Sequence, residues 1–330
     1  MIVDLNTNIW SSLDQLGPEV AERIRRNQTA HWGQFEASAA AHERAMSCVD
    51  AAVVRGFRSD MLEASIPNEL IAEFVSKDPG RRVGVAGVDP MSDDAEEQLC
   101  SAVALGLAGI TISPACQGFH PTHSSAMRIY ERCDTLSLPV FVTLLEPLTP
   151  SAMLEFGRPA LWDEVGRSFP TLKIVISQLG HPWIDEALIL LGKHQNVYAD
   201  IAGVAGRPWQ LYNALLAASA NGVMGKLMFG SGFPHDTPAK AIEMLYSVNG
   251  FAQGTQLPSV QRAQIRGIVE RDSLLCLGIE AEISLREGGK PSEVSTPARA
   301  TLPGAQPQAE VPSPSHGRDE PPVSVSDDAC

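Results

Sequence analysis

Ile2-Val3-Asp4-Leu5-Asn6-Thr7-Asn8-Ile9-Trp10 is the stretch from which the rest of the chain is read. Apolar and polar residues alternate at period two and the run ends on Trp10, the pattern of a buried strand. No glycine-rich phosphate loop follows it, which argues against an open doubly wound sheet. Asn6 and Asn8 stand two apart, so they share a face, as two ligands to one ion would. Both are neutral carboxamides, whereas zinc, manganese and iron prefer imidazole, carboxylate and thiolate. The strand has the layout of a metal site without its chemistry.

Seven further strand sites lie outward from it: Ala51-Ala52-Val53-Val54-Arg55, Val83 to Val88, Ala108 to Ser113, Leu138 to Leu145, Leu172 to Ser177, Val197 to Ile201 and Lys226 to Gly230. Helical patterns separate them, over 11–50, from Pro67, and over 93–105, 124–136, 151–169, 183–191 and 209–219, with a last one near 259–277. This alternation predicts an α/β fold, a (β/α)8 TIM barrel, over residues 1–283. Beyond it the composition changes. Prolines 291, 297, 303, 307, 312, 314, 321 and 322 alternate with small and polar residues. Such a segment cannot bury enough apolar surface to offset its ordering entropy, so 284–330 is read as a disordered, acidic Pro/Ser-rich tail.

The formal charge of −14 excludes the clustered basic surface that nucleic acid or an anionic membrane would require. No apolar run reaches the length of a membrane span and no basic leader is visible, so a cytoplasmic location is expected. The six cysteines are scattered without a CxxC pair, as suits reduced core thiols.

In such a barrel the chemistry sits at the C-terminal ends of the strands. Those ends carry Asn6 and Asn8, then Thr143, then Ser177-Gln178-Leu179-Gly180-His181-Pro182-Trp183, and last Phe229-Gly230-Ser231-Gly232-Phe233-Pro234-His235. Together with Gly84-Val85-Ala86-Gly87-Val88-Asp89-Pro90, Gly106-Leu107-Ala108-Gly109-Ile110, Leu138-Pro139-Val140 and Asn196-Val197-Tyr198-Ala199-Asp200, these segments resemble the amidohydrolase-2 branch of the amidohydrolase superfamily. That branch includes aminocarboxymuconate-semialdehyde decarboxylase and related hydrolases and decarboxylases of small carboxylates and lactones.

The resemblance implies a His-x-His pair at positions 6 and 8, further histidines near 143 and 178, and an aspartate at 232. This chain has Asn6, Asn8, Thr143, Gln178 and Gly232 there. The expectation is therefore no bound metal or other cofactor and no metal-dependent hydrolysis. The chain is expected to be an inactive relative, acting as a structural or regulatory subunit or as a binder of a small carboxylate. Asn6, Asn8, Thr143, Gln178, Gly232 and His181 are the expected binding positions. His181, Asp200 and His235 are the candidates for the alternative, an active hydrolase or decarboxylase with metal-free acid–base chemistry or a non-standard site. The resemblance also implies assembly, as a homo-oligomer or with an active paralogue. His120 and His123, on the loop after the fourth strand, are read as incidental.

Overall fold

The computed structural model of the protein describes residues 1–28 and 36–284. The tail expected at 284–330 lies outside them from residue 285 on.

The predicted apolar runs form eight parallel strands: β1 Val3–Asn8, β2 Ala51–Arg55, β3 Arg82–Gly87, β4 Ile110–Ile112, β5 Val140–Val142, β6 Ile174–Ile176, β7 Val197–Asp200 and β8 Leu227–Met228. They pair in chain order. The segment after β8 then closes the sheet on β1. Leu5 N–H donates to the Phe229 carbonyl at 3.0 Å, Gly232 N–H to the Asn6 carbonyl at 2.9 Å, and Asn8 N–H to the Phe233 carbonyl at 3.0 Å. Closure removes the free edges that an open sheet would expose. The fold is a (β/α)8 barrel, as the alternating pattern predicts.

Val3, Leu5, Val53, Val85, Phe141, Val175 and Met228 form the inner apolar cluster, and the helix Ser273–Leu277 adds Leu274 and Leu277 to it. Asp272 starts that helix by accepting the Leu275 N–H at 3.0 Å, and Gly278, at φ 71°, ends it. Each such aliphatic side chain, fully buried, contributes about 1.5–3 kcal/mol. The surrounding helices bury their own apolar faces against the outer faces of the strands.

Two helical expectations need correction. The stretch 151–169 is two 3-10 turns, Leu154–Gly157 and Pro159–Trp162, followed by the short helix Asp163–Ser168. Gly157 and Pro159 break it, because glycine is a poor helix former and proline lacks the N–H that an interior position needs. Within 11–50 the described residues give the 3-10 turn Leu13–Leu16, the helices Pro18–Gln28 and Ala39–Ala45, and a closing 3-10 turn Met46–Cys48. Gly17, at φ 83°, divides the first two; a Cβ there would stand 2.1 Å from the Leu62 carbonyl oxygen. The helix after β8 starts beyond His235 and Asp236. It runs Pro238–Ser247 and is capped by Thr237, whose Oγ1 accepts the Lys240 N–H at 3.4 Å.

Candidate functional site

A kink in β1 decides which of its side chains reach the barrel axis. Asp4 is in register with Ala52, but Thr7 is already in register with Val54, so one extra residue is accommodated between them. Strict alternation would put Asn6 and Asn8 on the face opposite Val3 and Leu5. The bulge reverses the parity. Leu5 stays in the inner cluster, Asn6 and Asn8 follow it to the same side, and Thr7 turns outward to the buried His42 ring, whose Nε2 is 3.0 Å from its Oγ1.

Two polar layers result at this end of the barrel. In the inner one Arg55, the last residue of β2, crosses the axis. Its Nη2 donates to Asp200 Oδ2 on β7 at 3.0 Å and its Nη1 to Ser177 Oγ after β6 at 2.6 Å. The guanidinium carbon lies 4.4 Å above the centre of the Phe141 ring on β5. Both charged side chains are shut from solvent, Arg55 at 1% and Asp200 at 0% exposure. Asp200 is fully engaged. It also accepts Asn6 Nδ2 at 3.3 Å on each oxygen, the Gln178 N–H at 3.0 Å and the Ala202 N–H at 3.1 Å. Asn8 Nδ2 is tied to the Arg55 carbonyl at 3.0 Å.

Asp4, between Val3 and Leu5 and so on the opposite face of β1, is buried at the seam between β1 and β8. Its Oδ1 accepts the Ser231 N–H at 2.9 Å and the Asn6 N–H at 3.1 Å, while its Oδ2 has no hydrogen-bond partner. Burial pushes its carboxyl up to about 6, against the opposing pull of Ser231, with the nearby Asp200 adding to the rise. Burial likewise holds the Arg55 guanidinium below its ordinary value, opposed by Asp200 and Asp4. It remains a cation at any physiological pH.

The outer layer is the mouth. Glu146, just beyond β5, holds Arg207 after β7, with Nη2 at 3.1 and 3.4 Å from its two oxygens. Burial lowers the His181 imidazole, and Arg207 lowers it further while Glu146 opposes. Solvent reaches the His235 ring, yet the protein around it is dense. Desolvation pushes its imidazole down to about 4, with Glu146 and Asp236 opposing and Arg207 adding to the fall. Both rings are neutral at pH 7. Thr143 is half-buried, its N–H donated to the Ile112 carbonyl at 2.9 Å.

The turn carrying Gln178 is strained. Gln178, Leu179 and Gly180 take φ of 57°, 49° and 65° in succession, and only glycine adopts that region without cost. Gly232 sits at φ 78°, in the left-handed region that favours glycine, and a Cβ there would be in ordinary contact with Ala202 and Gly203 at 3.5 Å. His120 and His123 serve their loop: His120 Nδ1 accepts the Thr122 N–H at 3.2 Å, and His123 Nδ1 accepts the Ser125 N–H at 3.3 Å at the start of the helix Ser124–Thr135.

Of the residues singled out in the sequence, the structure joins Asn6, Gln178 and Asp200 in one hydrogen-bonded group and places His181 and His235 together in the field of Glu146 and Arg207. Arg55, Ser177 and Arg207 were not among the candidates. Arg55 had a readable signal, a lone charge ending the apolar strand Ala51-Ala52-Val53-Val54; Arg207 had none.

A family model described as amidohydrolase matches residues 3–267. The chain belongs to that family. Among solved structures, this amidohydrolase-family barrel is similar to an uncharacterized TIM-barrel protein from Bordetella bronchiseptica, at 18% identity and TM-score 0.63, over 84% of this chain and 99% of that one. It is similar to a probable 2-pyrone-4,6-dicarboxylic acid hydrolase from Acinetobacter baumannii, at 14% identity and TM-score 0.59, over 84% and 99%. A third is a dihydroxybenzoic acid decarboxylase from Polaromonas sp. JS666 with bound manganese, at 16% identity and TM-score 0.56, over 85% and 98%. At these identities the likeness establishes the fold. No curated protein matches the sequence.

A divalent ion does not fit the side chains that this member of the family presents. Asn6, Asn8, Thr143, Gln178 and Gly232 supply two primary amides, a hydroxyl, a third amide and no side chain at all. Among the described residues no group of three or more His, Cys, Asp or Glu is arranged to hold an ion. The carboxylate on the axis, Asp200, already faces a fixed cation. Also among the described residues, no helix is long and apolar enough to cross a membrane.

Proposed function

We propose that this chain is a non-catalytic amidohydrolase-family barrel, serving as a structural or regulatory subunit that binds a small carboxylate at its mouth. The observation that carries this reading is the Arg55–Asp200 pair. The carboxylate on the axis, Asp200, which could have served as a ligand or general base, is closed off by a guanidinium and four further hydrogen-bond contacts. Asn6 and Asn8 donate their amides inward rather than to a ligand. The mouth supports the binding half: Arg207, partly exposed, already holds a carboxylate there, that of Glu146, and a ligand carboxylate could replace it with similar geometry.

A second reading has its own support in two imidazoles kept neutral in one mouth. Neutral His181 and His235 are in the protonation state of general bases for metal-free hydrolysis or decarboxylation. Calorimetric titration with small mono- and dicarboxylates and lactones, with products followed by mass spectrometry, separates the two. The expected result is saturable heat with carboxylates, abolished in Arg207→Ala, and no product. Turnover that persists in excess chelator and disappears in His235→Ala would reject the non-catalytic reading in favour of the second.

A further inference from the structure

We infer that Arg55 is a built-in cation that takes over the charge and the space of a divalent ion, so that replacing the donor side chains alone cannot return metal binding to this barrel. The inference goes beyond the absence of metal ligands: it says that the barrel has been rebuilt around a different positive charge.

Four contacts carry it. The Asp200 carboxylate is bonded at once to Arg55, to the Asn6 side chain and to the Gln178 backbone, so two of the four positions 6, 8, 178 and 232 meet the guanidinium at one anion. Asn8 is bonded to the Arg55 carbonyl. A Cβ added to Gly230, two residues before Gly232, would stand 3.0 Å from Asn6 Cβ. Asn6 Nδ2 and Arg55 Nη2 meet on the same oxygen, Asp200 Oδ2, at 3.3 and 3.0 Å, so an ion held by a side chain at position 6 and by Asp200 would lie beside the guanidinium. In an interior shut from water, like charges a few Å apart repel several-fold more strongly than they do in solvent. The guanidinium is also fixed sideways, by Ser177 at 2.6 Å and by the Phe141 ring beneath it. Swinging it out would leave Asp200 unpaired and buried. The Arg55 Nε–H is buried without a hydrogen-bond partner, so its contacts to Asp200 and Ser177 are made at the cost of one unsatisfied donor.

The test uses the full chain and two sets of substitutions. The first carries Asn6→His, Asn8→His, Gln178→His and Gly232→Asp; the second adds Arg55→Met, or Arg55→Gln if the methionine variant does not fold by circular dichroism, since glutamine keeps an amide for Asp200. Zinc is read by elemental mass spectrometry after dialysis, and cobalt coordination by its visible spectrum. With Arg55 present the expected result is substoichiometric zinc; with Arg55 replaced it is about one zinc per chain and a tetrahedral cobalt spectrum. Stoichiometric zinc in the variant that retains Arg55 overturns the inference. Failure of every folded Arg55 variant to load zinc overturns it too, because something other than the guanidinium would then exclude the ion. Neither outcome bears on the function proposed above, which fails instead if the natural chain binds metal or turns over substrate.

Discussion

The same end of the barrel holds two ion pairs that look alike on paper and differ in what surrounds them. Arg55–Asp200 and Arg207–Glu146 have nearly equal separations, 3.0 and 3.1 Å. The first is at 1% and 0% exposure and the second at 36% and 28%. A buried pair is costly to assemble, and removing one partner strands the other charge in a medium that cannot solvate it. A pair at the mouth can be broken and its charges passed to water or to a ligand. The inner pair is thus a fixture of the fold, and the outer pair a place where binding can occur.

The largest effect expected follows from that contrast. Arg55→Met should lower stability by about 3–5 kcal/mol, because Asp200 is left buried and uncompensated. Urea unfolding read by fluorescence measures it, and a loss below 1 kcal/mol would mean that the inner pair is no more structural than a surface one.

Asp4 sharpens the comparison next. Its folded carboxyl, at about 6, lies above its ordinary value of 3.8, so the folded state favours the protonated form. The stabilising contribution is fully present below pH 3.8 and is lost as pH rises through 6, by about 3 kcal/mol at most. Unfolding midpoints between pH 4 and 8 should show this slope in the natural chain and not in Asp4→Asn. An identical slope in both would place the Asp4 carboxyl in contact with water.

The smallest effects belong to the mouth. Arg207→Ala should change stability by less than about 1 kcal/mol, since its pair is partly solvated. In the same layer the His235 ring should titrate near 4 by proton NMR, a neutral imidazole throughout the physiological range. A midpoint at the ordinary value of 6.5 would show the mouth to be as wet as bulk solvent.

The barrel was legible because each strand is a short apolar run stopped by a polar or turn residue, a signal that needs no long-range information. The positions of Asn6 and Asn8 were legible as a pair, but the bulge that turns them inward was not, since it is set by pairing with β2 rather than by β1 alone. Arg55 was visible and unread: a charge ending an apolar strand is ordinarily solvated, and only the barrel brings it to Asp200, 145 residues later. Glu146 and Arg207, 61 residues apart, meet through the same closure. The stretch 151–169 was misread because its helical spacing outweighed Gly157 and Pro159, which the structure shows to be decisive.

The measurement that most directly tests the central claim is the metal content of the natural chain after purification and incubation with zinc, manganese or iron, followed by dialysis. If this barrel is a non-catalytic member of its family without a metal centre, elemental mass spectrometry should find every metal far below one per chain. One tightly held ion per chain would contradict the claim and return the protein to the metal-dependent hydrolases and decarboxylases.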